Sequence, residues 1–216
     1  MPIDHLSPYG APKYADGAAV TADVATVAAL KALAAADSAH VQGNVVTVRA
    51  DGSEWVYHPT SALTGDDILV ITPTNAAGRW LRKVGRTVLY LPCSYATADG
   101  ATLLTVPTGC VLKLDSAHWK VTTALTGGSS SAIGVAATGH TTAGDILGGA
   151  GGDVEATLTA GTKAGTVGAK MDTDVELHSM IFVATNTFTF ERITSVFTAG
   201  AGYVGLVVDI LANPGA

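Results

Sequence analysis

Thr187-Phe188-Thr189-Phe190 is the stretch that decides the fold class, because ring and hydroxyl side chains alternate along it without interruption. A period of two places both phenylalanines on one face of an extended strand and both threonines on the other. The stretch therefore predicts a half-buried β-strand near the carboxyl end of the chain.

Strand patterns continue on both sides of this stretch, and Gly or Pro falls in many of the gaps between them. The predicted strands are Val88–Leu91, Ala101–Val106, Cys110–Leu114, His118–Ala124, Ala132–Ala136, Val154–Thr159, Val175–Thr185, Thr187–Ile193 and Tyr203–Leu211. Many short strands with such turn signals are typical of two antiparallel sheets packed face to face. Residues 86–216 are therefore predicted to form a jelly-roll-like antiparallel β-sandwich, and the chain to be mainly β.

Residues 21–85, upstream of this sandwich, predict a small α+β module that opens with a helix. Thr21 is a candidate N-cap, and apolar residues at helical spacing from Val24 predict a helix that continues to Ala36. Residues 1–20 contain three prolines and only scattered apolar residues. They predict an extended N-terminal arm that becomes ordered on a partner.

Four strands complete the predicted module. Val45–Arg49 and Glu54–Tyr57 flank Asp51-Gly52, a turn signal that predicts a hairpin. Ile68–Ile71, which stops before a proline, and Gly78–Arg82 predict the other two strands. A module of this size is near the lower limit for independent stability, so it is expected to need a partner.

Composition and charge favour a protein that works in an assembly. The chain of 216 residues is 48% hydrophobic but only 14% charged, against about 25% charged in a usual soluble domain. Its net charge of −6 offers no broad basic field for direct nucleic-acid binding. A soluble monomer with an uncharged β surface is the alternative interpretation of the same composition.

The sequence also bears on the compartment. The apolar run Tyr203–Leu211 is too short to cross a bilayer, so no membrane partner is expected. Met1–Asp16 lacks the basic and apolar regions of a signal peptide, and Sec-type export is not expected. Cys93 and Cys110 lie in strand-like segments that could be bridged, but without export reduced thiols are favoured.

No pattern in the sequence predicts catalysis or a cofactor. Gly127–Ser131 departs from Gly-x-Ser-x-Gly at its last position, and Gly161–Thr166 has the residues of a phosphate loop in the wrong order. The six histidines are scattered without ligand spacing. We therefore expect neither an enzyme nor a bound cofactor.

Two sets of carboxylates are weaker alternatives to that expectation. Alternate acidic residues in Asp172–Glu176 could share a Ca²⁺ ion, or they begin a solvated strand, and no metal site is expected. A glycosidase pair of carboxylates also stays open, because only the fold sets the separation of two carboxylates. Asp145, Asp153 and Glu155 lie in the loop-rich stretch, but nothing in the sequence singles them out.

One basic cluster interrupts the acidic chain, and with its tryptophan it is the candidate docking site for an acidic protein surface. Its members are Arg79, Trp80, Arg82, Lys83 and Arg86. The alternative interpretation is an ordinary charged strand edge.

The run from Thr21 to Arg82 resembles a module of structural proteins of tailed bacteriophages. The resemblance rests on an Ala-Leu-rich helix, a hairpin ending in Trp55-Val56-Tyr57, the acidic Gly65-Asp66-Asp67 before a strand, and above all the closing Gly78–Arg82. The second half is similar in texture to Thr/Gly/Ala-rich phage head-fibre and capsid cement domains. No β-helix repeat period follows the module, which puts a depolymerising tailspike in doubt.

The resemblance implies a virion protein on the capsid exterior, assembled in the host cytoplasm, that decorates and cements the capsid. Its implied partners are the major capsid protein and copies of itself in a homotrimer. The absence of Lys and Arg between Lys120 and Lys163, together with Gly-rich stretches there, favours close subunit contact. The alternative is a receptor-binding tail fibre or tailspike-type adhesin that binds a host-surface glycan.

Overall fold

The structure, a computed structural model, describes residues 22–34, 37–126, 133–139, 146–147, 161–163, 180–192 and 197–212. Strands account for 56% of the described residues and helices for 5%. The chain is therefore mainly β, with several antiparallel sheets, as the sequence predicts. The predicted arm, residues 1–20, lies outside the described residues.

The chain divides into two compact units, with the division between Lys83 and Val84. The first unit contains the strands β1 (Ala22–Val24), β2 (Val45–Val48), β3 (Ser53–His58), β4 (Val70–Ile71) and β5 (Arg79–Arg82), and a helix α1 (Val27–Lys31). The second unit contains β6 (Gly85–Ser94), β7 (Ala101–Thr105), β8 (Val111–Thr126), β9 (Ile133–Ala137), β10 (Gly161–Lys163), β11 (Ile181–Val183), β12 (Thr187–Arg192) and β13 (Ala199–Ala212).

The first unit is one sheet in the order β1-β2-β3-β5-β4. The predicted hairpin is confirmed: β2 pairs antiparallel with β3, and Gly52 in the turn has a φ of 70°, which suits a residue without a side chain. The Asp51 carboxylate accepts hydrogen bonds from the amide and the hydroxyl of Ser53, at 3.0 and 2.7 Å. Ser53 Oγ in turn accepts the indole N–H of Trp55, which fixes the largest core side chain of the hairpin.

The predicted helix from Thr21 to Ala36 is wrong at both ends. Helix α1 begins after Thr26, whose hydroxyl accepts the amide of Ala29, and it ends at Lys31. Before it, Ala22–Val24 pairs as a parallel strand with β2. Val24 is buried there, and this packing outweighs the helix propensity of the surrounding alanines.

The predicted strand Ile68–Ile71 is also shorter than expected. One carboxylate oxygen of Asp66 accepts hydrogen bonds from the amides of Ile68, Leu69 and Val70, each at 2.8 Å. These amides are taken by a side chain rather than by a neighbouring strand. Only Val70–Ile71 is left to pair with β5.

Two antiparallel sheets make up the described part of the second unit. One has the order β10-β8-β13-β6, with β11 also paired to β8, and the other has the order β7-β12-β9. The strand predicted from Thr187-Phe188-Thr189-Phe190 is confirmed as part of β12, with Phe188 and Phe190 buried. The ring centres of Phe182 in β11 and Phe188 lie 4.6 Å apart, so the two sheets contact each other through aromatic side chains.

The two strands predicted at Cys110–Leu114 and His118–Ala124 form a single strand, β8, of 16 residues. The polar Asp115 and Ser116 do not make a turn. They form a β-bulge, because Val208 pairs with Leu114 and the adjacent Val207 pairs with Ser116. The prediction of Val154–Thr159 lies outside the described residues, and of the strand predicted at Val175–Thr185 only residues 180–185 are described.

Candidate functional site

The predicted docking residues divide into interior and surface positions. Trp80 is completely buried and Arg82 is 7% exposed, so neither side chain lies at the surface of this fold. Arg79 and Lys83 belong to the first unit and Arg86 to the second. The docking hypothesis therefore narrows to Arg79, Lys83 and Arg86.

Arg82 packs into the core of the first unit as an amphipathic side chain. Its guanidinium carbon lies 5.4 Å from the centre of the Trp55 ring, and Nη1 donates to the carbonyl of Ile68 at 3.5 Å. Burial lowers the pKa of the Arg82 guanidinium, and the negative charge of Asp51 opposes that effect. Such contacts give Arg82 a role in stability rather than in docking.

The three remaining basic residues all have partners within the chain. The Arg79 guanidinium donates to main-chain carbonyl groups of the first unit. Lys83 Nζ lies 2.9 Å from a Glu54 carboxylate oxygen, and Arg86 forms an ion pair with Asp115. Exposed ion pairs such as those of Lys83 and Arg86 contribute at most about 1 kcal/mol, so a partner's carboxylate can replace the internal one at these two residues.

A different surface stands out in the second unit, on the side of the β6–β13–β8–β11 sheet that faces away from the β7–β12–β9 sheet. We call it the outer face. Alternate residues of β13 point inward and are almost fully buried: Val204, Leu206, Val208 and Ile210. The intervening residues point outward: Tyr203, Gly205, Val207, Asp209 and Leu211.

Aromatic side chains and a lysine form one end of the outer face, here called the aromatic end (Tyr90, His118, Lys120 and Tyr203). Tyr90 and His118 both pair with Gly205 from opposite sides. Because residue 205 has no side chain, the two rings approach each other above it, with centres 6.1 Å apart. Tyr203 lies 6.2 Å from Tyr90, and Lys120 Nζ lies 4.5 Å from the centre of the Tyr90 ring.

Electrostatics at the aromatic end disfavour a second positive charge. Burial lowers the pKa of His118 below its ordinary value, and the neighbouring Lys120 ammonium lowers it further. The imidazole is therefore mostly neutral at pH 7. The aromatic end thus offers one cation, a tyrosine ring that is 37% exposed, and a neutral donor–acceptor group.

The opposite end of the outer face is apolar, and we call it the apolar end (Val111, Ile181, Val183 and Leu211). Ile181, Val183 and Leu211 are 52%, 48% and 54% exposed. The register explains why they lie together: Val183 pairs with Val111, which pairs in turn with Ala212, next to Leu211. An exposed apolar group on adjacent strands is typical of a surface that another macromolecule covers.

A charged row (Arg86, Lys113, Asp115 and Asp209) separates the two ends. Asp209 lies between Arg86 on β6 and Lys113 on β8, since it pairs with both. The bulge turns Asp115 to the same side, where it contacts Arg86. The row therefore presents two positive and two negative groups side by side.

The described residues of the second unit enclose a small cavity. A cavity lined by Trp119, Val121, Leu125 and Phe190 has a volume of about 10 Å³, enough for about one water molecule. Within the described ranges no group of three His, Cys, Asp or Glu side chains is placed to hold a metal ion. Nor does any helix in those ranges have the length and apolar character that a bilayer crossing requires.

Several sequence motifs fall outside the described residues. These are Gly127–Ser131, Asp145, Asp153, Glu155 and Asp172–Glu176. Gly161–Lys163, the start of the supposed phosphate loop, forms the short strand β10, paired with β8. Cys93 and Cys110 are not joined by a disulfide, and burial raises the pKa of the Cys93 thiol to about 11.

Alternation along the last predicted strand is a sequence signal for the outer face. Within the predicted strand Tyr203–Leu211, every second residue shares one side, which places Tyr203, Asp209 and Leu211 together. Which of the two sides is exposed, and which strands lie beside it, depends on pairing across more than 80 positions of sequence.

Comparison of the chain with protein-family models, curated proteins and solved structures gives no match.

Proposed function

We propose that this protein is a structural virion protein of a tailed bacteriophage, which decorates and cements the capsid by bridging neighbouring major capsid proteins. The observation that carries the proposal is the outer face, where Ile181 and Val183 on β11 and Leu211 on β13, the strands on either side of β8, are each about half exposed. A protein that acts through such a surface works by burying area against other proteins. The resemblance of residues 21–82 to modules of phage virion proteins is the reason for proposing that the assembly is a phage virion.

The composition agrees with this role. With only 14% charged residues, the chain loses less hydration than a highly charged protein when its surface is covered. In the proposed assembly the second unit is a jelly-roll-like sandwich that forms a homotrimer, and the first unit and the arm contact the shell. Each contact can be weak, because it is repeated at every lattice position.

Copy number in purified particles tests the proposal. Quantitative mass spectrometry of virions should find this chain at a number that scales with the major capsid protein. Particles that lack the chain should rupture at a lower temperature than complete particles. Absence of the chain from virions would refute the proposal.

A charge reversal tests the docking residues within that role. Lys83→Glu should reduce occupancy on the capsid. The exposed ammonium group, which lies near Glu54, would be replaced by a carboxylate, and a carboxylate is repelled by an acidic docking surface. Arg49→Glu is the matched control, since Arg49 is also an exposed cation of the first unit that pairs with a carboxylate, Asp23. Equal occupancy of the two variants would remove Lys83 from the docking surface.

The aromatic end favours one second candidate, a receptor-binding fibre or tailspike-type adhesin. Tyr203 is 37% exposed beside Lys120, and an exposed ring with a neighbouring polar group is suited to stacking on a sugar. Tyr203→Ala should then abolish binding to host-surface glycans, whereas Tyr95→Ala, at a tyrosine that is 44% exposed, should leave it unchanged. A few copies per particle, located in the tail, would favour this candidate over capsid cement.

A further inference from the structure

We propose that the outer face is the surface at which copies of this chain associate with one another. This inference rests on the proposed function, because it takes assembly to be the work of the protein, and it names the surface involved. The occupant of the outer face is a second copy of the same chain.

The distribution of exposed apolar side chains is the first argument. Seven large hydrophobic residues are conspicuously exposed in the described part of the chain. Four of them, Ile181, Val183, Tyr203 and Leu211, lie on the outer face. Water contact at these positions is unfavourable by about 25 cal/mol per Å² of apolar surface, so covering this face would remove four of the seven exposed large hydrophobic residues from water.

Charge complementarity is the second argument, and it selects the occupant. The outer face carries three basic residues, Arg86, Lys113 and Lys120, and two acidic residues, Asp115 and Asp209, whereas the whole chain has a net charge of −6. Two copies that approach through other surfaces meet, on average, like charges. Two copies that approach through the outer face can place each Asp against an Arg or Lys of the neighbour.

The mixed charged row argues against other occupants. A nucleic acid requires a surface of one sign, and here Asp115 and Asp209 stand among the cations. A strongly acidic or basic protein would likewise meet repulsion from half of the row. A second copy of the same chain presents the same row of two positive and two negative groups, so the positive groups of one copy can face the negative groups of the other.

The size of the outer face is the third argument. The strands of this face have 10 residues in β6, 14 in β13, 16 in β8 and 3 in β11. At about 3.3 Å per residue along a strand and about 4.8 Å between strands, the area of the face is on the order of 700 Å². A standard protein interface covers about 600–1,000 Å² on each partner, so the outer face is large enough to hold two copies together. Around a three-fold axis the same area would be shared between two neighbours.

Light scattering on the full chain, across the micromolar range of concentration, is the deciding experiment. The unmodified chain should have the mass of a dimer or trimer. Val183→Lys combined with Leu211→Lys should raise the dissociation constant by about tenfold or more, because each lysine must lose its hydration inside the interface. Val41→Lys is the matched control, since Val41 is 49% exposed and Val183 is 48% exposed, and it should leave the mass unchanged.

Folding and alternative occupants are separated by further outcomes. Circular dichroism and melting temperature verify that each variant is folded, and Tyr203→Lys provides a second test at the other end of the face if the double variant does not fold. A monomer at every concentration, or an oligomer that survives both face variants, would overturn the inference. A monomer that binds capsids through the outer face would overturn this inference but leave the proposed function intact. An oligomer that is absent from virions would overturn the proposed function but leave this inference intact.

Discussion

The imidazole of His118 fills the space in which a side chain at Gly205 would stand. A Cβ atom built on Gly205 would lie 2.3 Å from both Cε1 and Nε2 of His118. The glycine therefore leaves room for the histidine ring to pack over it. As a result β6 and β8, which are not neighbouring strands, come into contact through Tyr90 and His118. The aromatic end depends on this one missing side chain.

Two glycines of β13 should differ sharply when replaced by alanine. At Gly202 the new methyl group would lie 2.5 Å from the carbonyl oxygen of Lys120, and because main chain cannot move aside, we expect Gly202→Ala to destabilise the protein by about 1–3 kcal/mol. At Gly205 the obstacle is a side chain that can rotate, so Gly205→Ala should destabilise the protein by less than about 1 kcal/mol. Urea unfolding of the two variants measures the difference, and equal losses would contradict this account.

His118 should titrate below the ordinary histidine range, and Lys120 should be one cause. Burial and the Lys120 ammonium both lower the pKa of His118, so Lys120→Met should raise it, as followed by NMR titration of the ring protons. In the unmodified protein, His118 of the unfolded chain therefore binds a proton at a higher pH than His118 of the folded chain does. The contribution of His118 to stability is therefore complete above pH of about 6.5 and declines as the pH falls from there towards the lowered pKa. A pKa that is unchanged in Lys120→Met would rule out the lysine as a cause.

Two members of the basic cluster, Arg82 and Lys83, should differ in how much they contribute to the free energy of unfolding. Arg82→Ala removes a buried side chain that packs on Trp55, and we expect it to lower the free energy of unfolding by roughly 2–3 kcal/mol. Lys83→Ala removes an ion pair with both side chains 44% exposed, and it should cost less than about 1 kcal/mol. Thermal and urea unfolding measure both values. A large loss in Lys83→Ala would instead show that the pair is structural.

Cys93 should react slowly with alkylating reagents while the protein is folded. Burial raises the pKa of its thiol to about 11, so at pH 8 only about one thiol in a thousand is ionised. Because the thiolate is the reactive form, we expect alkylation by iodoacetamide to be on the order of a hundredfold slower than in urea. Mass spectrometry of quenched samples gives both rates, and similar rates in the two conditions would contradict burial of the thiol.

Local patterns predicted the elements of this chain better than they predicted its surfaces. Alternation at Phe188 and Phe190 and the Asp51-Gly52 turn each specified a strand or a hairpin that the structure contains, because both depend on neighbouring residues alone. The helix around Val24 was overextended, since the competing interaction is a parallel pairing with Val48 on another strand. The outer face depends on pairings such as Asp209 with Lys113, which no local pattern encodes.

The same limit explains the interpretation of the basic cluster. Arg79 to Arg86 reads as one charged surface in sequence, but a strand turns successive side chains to opposite sides. Trp80 accordingly lies in the core while its neighbour Arg79 is only partly buried. Arg82 is buried as well, with its guanidinium over the aromatic ring of Trp55, and that contact follows from the tertiary fold.

The bulge at Asp115 also determines where β8 can change length. Ahead of the bulge Leu112 and Leu114 face inward, and after it Ala117 and Trp119 do so, one position out of phase. Deleting Asp115 would restore an unbroken alternation with every apolar residue still inside, at the expense of its ion pair with Arg86. Deleting any single residue between Ala117 and Val121 would instead turn the following part of the strand over. A chain of this kind could therefore lose the codon for residue 115, but none of the codons for residues 117–121, without exchanging the interior of the strand for its surface.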